Sequence, residues 1–135
     1  SIKESVSKWL GQDLTSKSDY KKLAKDLAKI RDSISSMDIK DFRYDDDTTA
    51  YAYVFPLFKK IYLGAAFFSA SDSGNDTKSG ILVHEATHKF GVLRTRDYVY
   101  GTSKAEDLAN TKPGKAIRNA DNWEYFFENL RTGGR

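Results

Sequence analysis

The chain of 135 residues is 39% hydrophobic, 30% charged and 13% aromatic, which excludes intrinsic disorder and allows one domain with a hydrophobic core. Its net charge of +3 is small, and basic residues are interleaved with acidic ones, so we expect no binding to nucleic acid or to membrane surfaces. The longest apolar stretch, residues 61–68, is too short to cross a membrane, and the absence of cysteine leaves His, Asp and Glu as available metal ligands.

Two helices are predicted in the first forty residues. Residues 1–10 carry apolar side chains at helical spacing, and Gly11 follows where a helix commonly ends. Residues 17–37 repeat an apolar side chain every three or four positions, with charges of both signs on the opposite face. We expect residues 1–40 to form a helical scaffold for the rest of the chain.

Two strands are predicted after a polar turn. In residues 51–55 aromatic side chains alternate with Ala52 and Val54, as expected of a half-buried strand. Residues 61–70 are more continuously apolar and predict a second, more buried strand that Gly64 interrupts. We expect these strands to form a small antiparallel sheet.

A helix is predicted for residues 78–90, after a polar loop. Asp76 or Thr77 is suited to cap its N-terminus, because a short polar side chain there can accept hydrogen bonds from free backbone amides. Gly91 is expected to end it, since glycine is common just beyond a helix. Further on, residues 102–110 predict a short helix that ends before Pro113.

Both histidines of the chain, His84 and His88, lie four residues apart on the predicted helix, with Glu85 directly after the first. Residues four apart share one face of a helix, so the two imidazoles can bind one metal ion while the glutamate lies beside its open coordination position. This HExxH pattern is typical of zinc hydrolases.

A third metal ligand must come from beyond this helix, because a catalytic zinc uses three protein ligands and one open position. The metzincin pattern would place a histidine six residues after His88, where this chain has Arg94, and a guanidinium does not bind zinc. Asp97 follows three residues later. Once the chain has turned at Gly91, its carboxylate can fold back over the two histidines.

HExxH followed nine residues later by aspartate, within the sequence TRDYVYG, resembles the aspzincin metallopeptidases, which include deuterolysin and the fungal peptidyl-Lys metalloendopeptidases. The resemblance is closest to the peptidyl-Lys branch and covers residues 51–130. Three further segments resemble that pattern in the same order: AYVFP at 52–56, IYLGAAF at 61–67 and NADNWEYFFEN at 119–129.

The resemblance implies an α+β fold, a zincin-like single domain over residues 1–135 that is mostly helical, with the small antiparallel sheet beside the HExxH helix. Residues 41–135 would hold the sheet and the catalytic helices. It also implies one zinc ion with three ligands, a general base and a residue that stabilises the transition state. These are His84, His88 and Asp97 as ligands, Glu85 as base and Tyr100 as stabiliser.

Two downstream acids, Asp121 and Glu124, correspond by position to the pair that binds the lysine after the cut in the peptidyl-Lys branch. Three apart on a helix predicted for residues 119–130, they share a face and can hold one ammonium. The same Asp-x-x-Glu spacing before an aromatic run is also a capping box. Both interpretations remain open from the sequence. We assign most of the aromatic and apolar side chains of this helix to the core under the active site, out of Trp123, Tyr125, Phe126, Phe127 and Leu130.

The implied function is a monomeric zinc endopeptidase that cuts protein or peptide substrates on the amino side of lysine. The segment 61–70 is the candidate edge strand for pairing with substrate, and an ordinary core strand is an interpretation that stays equally open. One alternative is a zinc-stabilised binding module, although Glu85 has no use beside a structural metal. Another is an effector or toxin domain with one dedicated protein target.

Two features depart from the family pattern. Arg94 stands where a glycine usually precedes the threonine of the aspartate motif, so we expect the local turn to differ. Fungal members carry disulfides and this chain has no cysteine, which favours a bacterial relative. Residues 1–10 lack the apolar core of a signal peptide. We therefore expect a secreted or exported protein whose signal lies outside this chain, with delivery into another cell as an alternative.

Overall fold

A computed structural model describes residues 1–47, 49–57 and 59–131, and within them helices surround one three-stranded sheet. The α+β fold class is therefore confirmed. The helices are α1 (Ile2–Ser5), α2 (Lys17–Ser35), α3 (Ala65–Phe68), α4 (Lys78–Thr87), α5 (Thr102–Thr111), α6 (Pro113–Ala116) and α7 (Ala120–Arg131). The strands are β1 (Phe42–Tyr44), β2 (Ala52–Val54) and β3 (Ile61–Leu63). Across these described ranges, no helix has the length and apolar character needed to cross a membrane.

The two helices predicted in the first forty residues are present. A π-helical turn, Val6–Leu10, extends α1, and Gly11 ends it in the left-handed conformation with φ of 64°. α2 begins with a capping box: the Ser16 hydroxyl accepts from the Asp19 amide at 3.2 Å, and the Asp19 carboxylate accepts from the Ser16 amide at 3.0 Å. Local sequence signals therefore set these helices before any packing is considered.

The sheet is mixed, because β3 pairs in parallel with β1 and antiparallel with β2. The predicted antiparallel pairing of the two strands is confirmed for β2 and β3, and the unpredicted strand β1 adds a parallel pair. β1 was missed because its three residues, Phe-Arg-Tyr, are too few to show a strand period. It follows a 3₁₀ turn, Ile39–Asp41, and takes the far edge of the sheet.

The second predicted strand ends at Leu63, so its extension to residue 70 is wrong. The Gly64 amide still donates to the Tyr51 carbonyl at 3.0 Å, but Gly64 then becomes the N-cap of α3. Two alanines, which favour helix, begin α3. Because β3 is central, the segment is a core strand, and its interpretation as the substrate-pairing edge is wrong.

One buried core joins the first helices to the last. α7 contributes Trp123, Tyr125 and Phe126, each 1% exposed or less, as predicted. The amide of Asn122 on α7 donates to the carbonyls of Trp9 at 2.6 Å and of Ala105 at 2.8 Å. The buried residues of this core cluster are Val6, Trp9, Leu10, Leu14, Leu23, Ile30, Val83, Ala105, Trp123, Tyr125 and Phe126.

Hydrogen bonds join α7 to the N-terminus of α4. Thr77 caps α4, as one of the two predicted caps, with its hydroxyl accepting from the Gly80 amide at 2.9 Å. The buried Glu128 carboxylate of α7 accepts from the Thr77 amide and hydroxyl, both at 2.7 Å, and from the Asp76 amide at 3.2 Å. A carboxylate here is favoured because it satisfies free helix amides. A side chain at Gly80 would overlap Glu128.

Candidate active site

The helix with the HExxH motif ends earlier than predicted, at Thr87, with His88 at the C-cap. The amides of His88 and Lys89 bond to carbonyls three residues back, both at 3.2 Å, which tightens the last turn. Gly91 is not in the left-handed region. That conformation falls instead on Arg94, with φ of 55°.

The chain then returns sharply across the end of α4. The Lys89 carbonyl accepts from the amides of Val92 at 3.0 Å and Arg94 at 3.2 Å. Thr95 is fixed to Thr87 by an amide-to-carbonyl bond of 2.9 Å and a hydroxyl contact of 2.7 Å. This return places the following Asp97 back over the two histidines.

Three side-chain atoms converge beside α4: His84 Nε2, His88 Nε2 and Asp97 Oδ1. The Asp97 oxygen lies 3.0 Å from His84 Nε2 and 3.2 Å from His88 Nε2. The other imidazole nitrogens have separate partners, since His88 Nδ1 lies 2.8 Å from the Thr95 carbonyl and His84 Nδ1 lies 2.6 Å from Asp121. Two imidazoles and one carboxylate are a donor set that suits a catalytic zinc ion.

Hydrogen bonds and opposite charges within this cluster shift the pKa values of its members. Burial disfavours a charge on His84, but hydrogen bonding to Asp121 and Asp97 outweighs it and raises the pKa of His84 well above its usual value. Burial also acts against the charged form of Asp97, yet the two histidines lower the pKa of this carboxyl. Asp97 therefore attracts both histidines, whereas His84 disfavours a charge on His88.

Glu85 lies next to that point and is 6% exposed. Its Oε2 is 3.7 Å from His84 Nε2. Burial raises the pKa of Glu85 to about 7, although both histidines act in the opposite direction. A carboxyl with this pKa can accept and release a proton near neutral pH.

Tyr100 lies on the outer side of the cluster and is 62% exposed. Its ring is nearly parallel to that of His84, at an angle of 10° and a centroid distance of 6.4 Å. Partial burial and the negative charge of Asp97 raise the pKa of Tyr100 to about 12. The phenol therefore keeps its proton and remains a hydrogen-bond donor.

The two downstream acids face α4 from α7. Because α7 begins at Ala120, Asp121 is not its N-cap, and the capping-box interpretation is wrong. Asp121 bonds to His84 and also accepts from the Gly101 amide at 2.8 Å.

Glu124 is 2% exposed, and its Oε1 lies 3.5 Å from His84 Nδ1. In the part of the chain that the structure describes, Glu124 Oε2 is buried without a hydrogen-bond partner. Burial raises the pKa of Glu124 to about 8.

All seven predicted site residues line one cavity of about 410 Å³. The cavity lies between α4, α7 and β2, with residues 50–54 along one side. The strand beside the site is therefore β2. The residues named from the sequence are His84, Glu85, His88, Asp97, Tyr100, Asp121 and Glu124.

The family model described as lysine-specific metallo-endopeptidase, the aspzincin model, matches residues 1–128. The chain belongs to the aspzincin family. A solved structure titled zinc peptidase from Grifola frondosa matches this aspzincin with a TM-score of 0.70 and 32% sequence identity, over 94% of this chain and 77% of that one. The predicted family and fold are thereby confirmed.

Curated relatives of this aspzincin include two peptidyl-Lys metalloendopeptidases and one extracellular protease. The peptidyl-Lys metalloendopeptidases of Armillaria mellea and Grifola frondosa are 44% and 43% identical, over 66% and 71% of this chain. An extracellular protease of Aeromonas hydrophila is 40% identical over 76% of it. The matches span only 26%, 29% and 30% of those three proteins' lengths.

Sequence reasoning missed Asn119 as a residue that shapes the site of this aspzincin. Its buried amide accepts from the backbone of Tyr98 at 2.7 Å and Val99 at 3.3 Å, and donates to the Val99 carbonyl at 3.2 Å. These bonds fix the segment between Asp97 and Tyr100. Nothing local in the sequence signals a contact between residues twenty positions apart.

Arg94 offers a direct test of strain in the turn that delivers Asp97. Its left-handed backbone favours glycine, while its guanidinium lies 4.3 Å from the centroid of the Phe90 ring. We expect Arg94→Gly to be about 0.5–1 kcal/mol more stable than Arg94→Ala, since both lose the ring contact but only alanine keeps the strain. Urea unfolding of both variants without metal measures the difference. Equal free energies of unfolding would rule out strain at this residue.

Proposed function

We propose that this chain carries a zinc-dependent endopeptidase site. The observation that carries the proposal is the convergence of His84 Nε2, His88 Nε2 and Asp97 Oδ1 beside the buried Glu85. A zinc ion held by these three ligands supplies a Lewis acid that polarises a peptide carbonyl and makes water a better nucleophile. The metallopeptidase names of the relatives support the same activity.

Glu85 acts as the general base in this proposal. It takes a proton from the attacking water as the bond to the peptide carbon forms, and passes it to the leaving amine as the peptide bond breaks. Its burial and its pKa of about 7 suit both transfers. Tyr100 donates a hydrogen bond from its phenol to the carbonyl oxygen of the substrate, which becomes negative as water attacks.

The free edge of β2 binds the substrate backbone. The Gly64 amide donates to the Tyr51 carbonyl, and alternation along an antiparallel pair then turns the polar groups of Ala52 and Val54 away from β3. An extended peptide can pair there and pass over the cavity. In this proposal the scissile bond lies above α4.

Lysine is the preferred residue after the cut. Glu124 supports this preference, because it is an acidic residue that lines the same cavity as His84 and Glu85. A substrate ammonium in the cavity would favour the ionised carboxylate and form a charge-assisted hydrogen bond with it. The lysine-specific description of the family and the peptidyl-Lys names of two relatives agree with it.

Cleavage-site profiling tests activity and preference together. An unfolded protein is digested with and without a chelator, and the new N-terminal residues are identified. We expect chelator-sensitive cleavage with lysine at the new N-termini. Absence of chelator-sensitive cleavage would disprove the proposed endopeptidase activity. Broad cleavage of unrelated proteins would argue against an effector domain with one dedicated target.

Glu124→Gln is expected to weaken the lysine preference by about 10- to 100-fold, because a hydrogen bond between two charged groups contributes about 1.5–3 kcal/mol. Paired peptides with lysine or methionine after the cut measure the ratio of kcat/KM values. Zinc content should stay the same, since Glu124 is not among the three converging ligands. An unchanged ratio would assign the preference to another group.

We further propose that residues 1–135 act as one domain, with residues 1–40 as its helical scaffold. The shared core supports this, since Trp9 and Ile30 belong to the same cluster as Val83 and Phe126. Export from the cell is also proposed. It is supported by the relative from Aeromonas hydrophila, which is named an extracellular protease.

A further inference from the structure

The side chain of Asn119 binds the backbone directly before Tyr100. Its Oδ1 accepts from the amides of Tyr98 at 2.7 Å and Val99 at 3.3 Å, and its Nδ2 donates to the Val99 carbonyl at 3.2 Å. Asn119 is fully buried, so water does not compete for these bonds. One buried amide therefore determines the path of the chain as it approaches Tyr100.

Asn122 fixes the orientation of this amide. The Asn122 Nδ2 donates to two carbonyls, that of Trp9 at 2.6 Å and that of Ala105 at 2.8 Å. A carbonyl can only accept, so Asn122 Oδ1 faces the other way and accepts from Asn119 Nδ2 at 2.8 Å. Asn119 must then present its oxygen to the backbone amides of residues 98 and 99. The core of the protein thus determines which way the Asn119 amide points.

Asp97 is held by bonds that do not involve the Asn119 side chain. The backbone of Arg96 pairs with the chain just before α7: its amide donates to the Arg118 carbonyl at 2.8 Å, and its carbonyl accepts from the Ala120 amide at 2.9 Å. These bonds lie directly before Asp97 in the chain. Loss of the Asn119 side chain should therefore leave the ligand carboxylate in place.

Tyr100 depends much more on the anchors of its own backbone. Its side chain is 62% exposed, so packing contributes little to its position. On one side, the Gly101 amide donates to the Asp121 carboxylate at 2.8 Å. On the other side, Val99 is bound to Asn119 through both its amide and its carbonyl. The place of the phenol is set by these two anchors.

We propose that Asn119, oriented by Asn122, is a positioning residue that acts through Tyr100 and not through the zinc ligands. The inference rests on the proposed function, in which Tyr100 donates a hydrogen bond to the oxygen that becomes negative. Such a donor is effective only if it is already aimed at that oxygen when the reaction begins. A misplacement of about 1 Å in a catalytic group can cost about 100-fold in rate.

A double-mutant cycle of Asn119→Ala and Tyr100→Phe tests the inference. We measure kcat at saturating zinc on one lysine peptide. Tyr100→Phe should lower kcat by about 10²- to 10³-fold, the usual cost of losing one such donor. Asn119→Ala should lower kcat by about 10- to 100-fold in the parent. In the Tyr100→Phe background it should lower kcat by no more than about twofold, because the group that it positions is already absent.

Zinc affinity, measured by competition with a chelator, separates this role from a general loss of structure. Asn119→Ala should bind zinc as tightly as the parent, since Asp97 keeps its own anchors. Asn110→Ala is a matched control, because Asn110 is exposed on α5 and does not line the cavity. It should match the parent in both kcat and zinc affinity.

Three results would overturn the inference alone: parent-like kcat in Asn119→Ala, equal fold losses in both backgrounds, or weaker zinc binding by Asn119→Ala. Parent-like kcat in Tyr100→Phe would instead contradict the role of Tyr100 in the proposed function, and the inference with it. A further measurement needs no variant. The Tyr98 amide of the parent should exchange its hydrogen slowly, because its partner is buried, and rapid exchange would also overturn the inference.

Discussion

Replacing Glu85 with glutamine is expected to lower kcat by about 10²- to 10⁴-fold, the usual contribution of a general base. Glutamine keeps the size of the side chain and fits the same buried space, but it cannot take a proton from water. The zinc content should remain that of the parent, because Glu85 lies beside the converging ligand atoms and its Oε2 is 3.7 Å from the nearest histidine nitrogen.

Metal analysis and turnover on one lysine peptide, measured on the same preparation, check this expectation. Glu106→Gln is a matched control, since Glu106 is exposed on α5 and away from the cavity. It should behave like the parent. If Glu85→Gln keeps more than about a tenth of the parent kcat, another group must serve as the base.

Asp97→Ala is expected to lower zinc affinity by more than about 100-fold. Loss of an outer partner of a metal ligand costs about 10- to 100-fold, and loss of a direct ligand should cost more. The variant leaves only His84 and His88, too few for a catalytic zinc site, which uses three protein ligands. Activity should fall with the metal and recover in part at high zinc concentration.

Chelator competition at fixed pH measures the loss of zinc affinity in Asp97→Ala. The control is Asp107→Ala, which removes an exposed carboxylate from α5. It isolates the effect of a lost charge from the effect of a lost ligand. Equal zinc affinity in Asp97→Ala and the parent would show that another oxygen completes the site.

The parts of the fold that follow from short-range signals were predictable. α2 has a long apolar repeat and a capping box, and α4 has the HExxH spacing with Thr77 at its start. These patterns act within a few residues, so the sequence alone displays them. The search for a third ligand beyond the helix reached Asp97, and the family resemblance added Tyr100, which no local pattern connects to the motif.

The errors arise where contacts between distant segments decide the outcome. Residues 61–70 have a strand-like composition, yet the chain leaves the sheet at Gly64 because its ladder partner ends there. The left-handed turn falls on Arg94 rather than Gly91, since the bonds around the Lys89 carbonyl set the path. Intrinsic preference is a weak guide where such bonds compete with it.

The two acids of α7 show the same limit at the level of function. Asp121 and Glu124 have identical chemistry and one spacing, so the sequence treats them as a pair. In the structure one carboxylate is bound at both oxygens, and the other has a buried oxygen without a partner among the described residues. Only the positions of α4 and of Gly101 give the two carboxylates different surroundings.

The close fit of Gly80 against Glu128 also limits how this sequence can change over evolution. A methyl group at residue 80 would occupy the space of the carboxylate, and a shorter acid at residue 128 would leave the amides of Thr77 and Asp76 unpaired. Each single change passes through a less stable protein. The two positions should therefore covary among homologous chains, even though they lie on different helices and neither lines the active-site cavity.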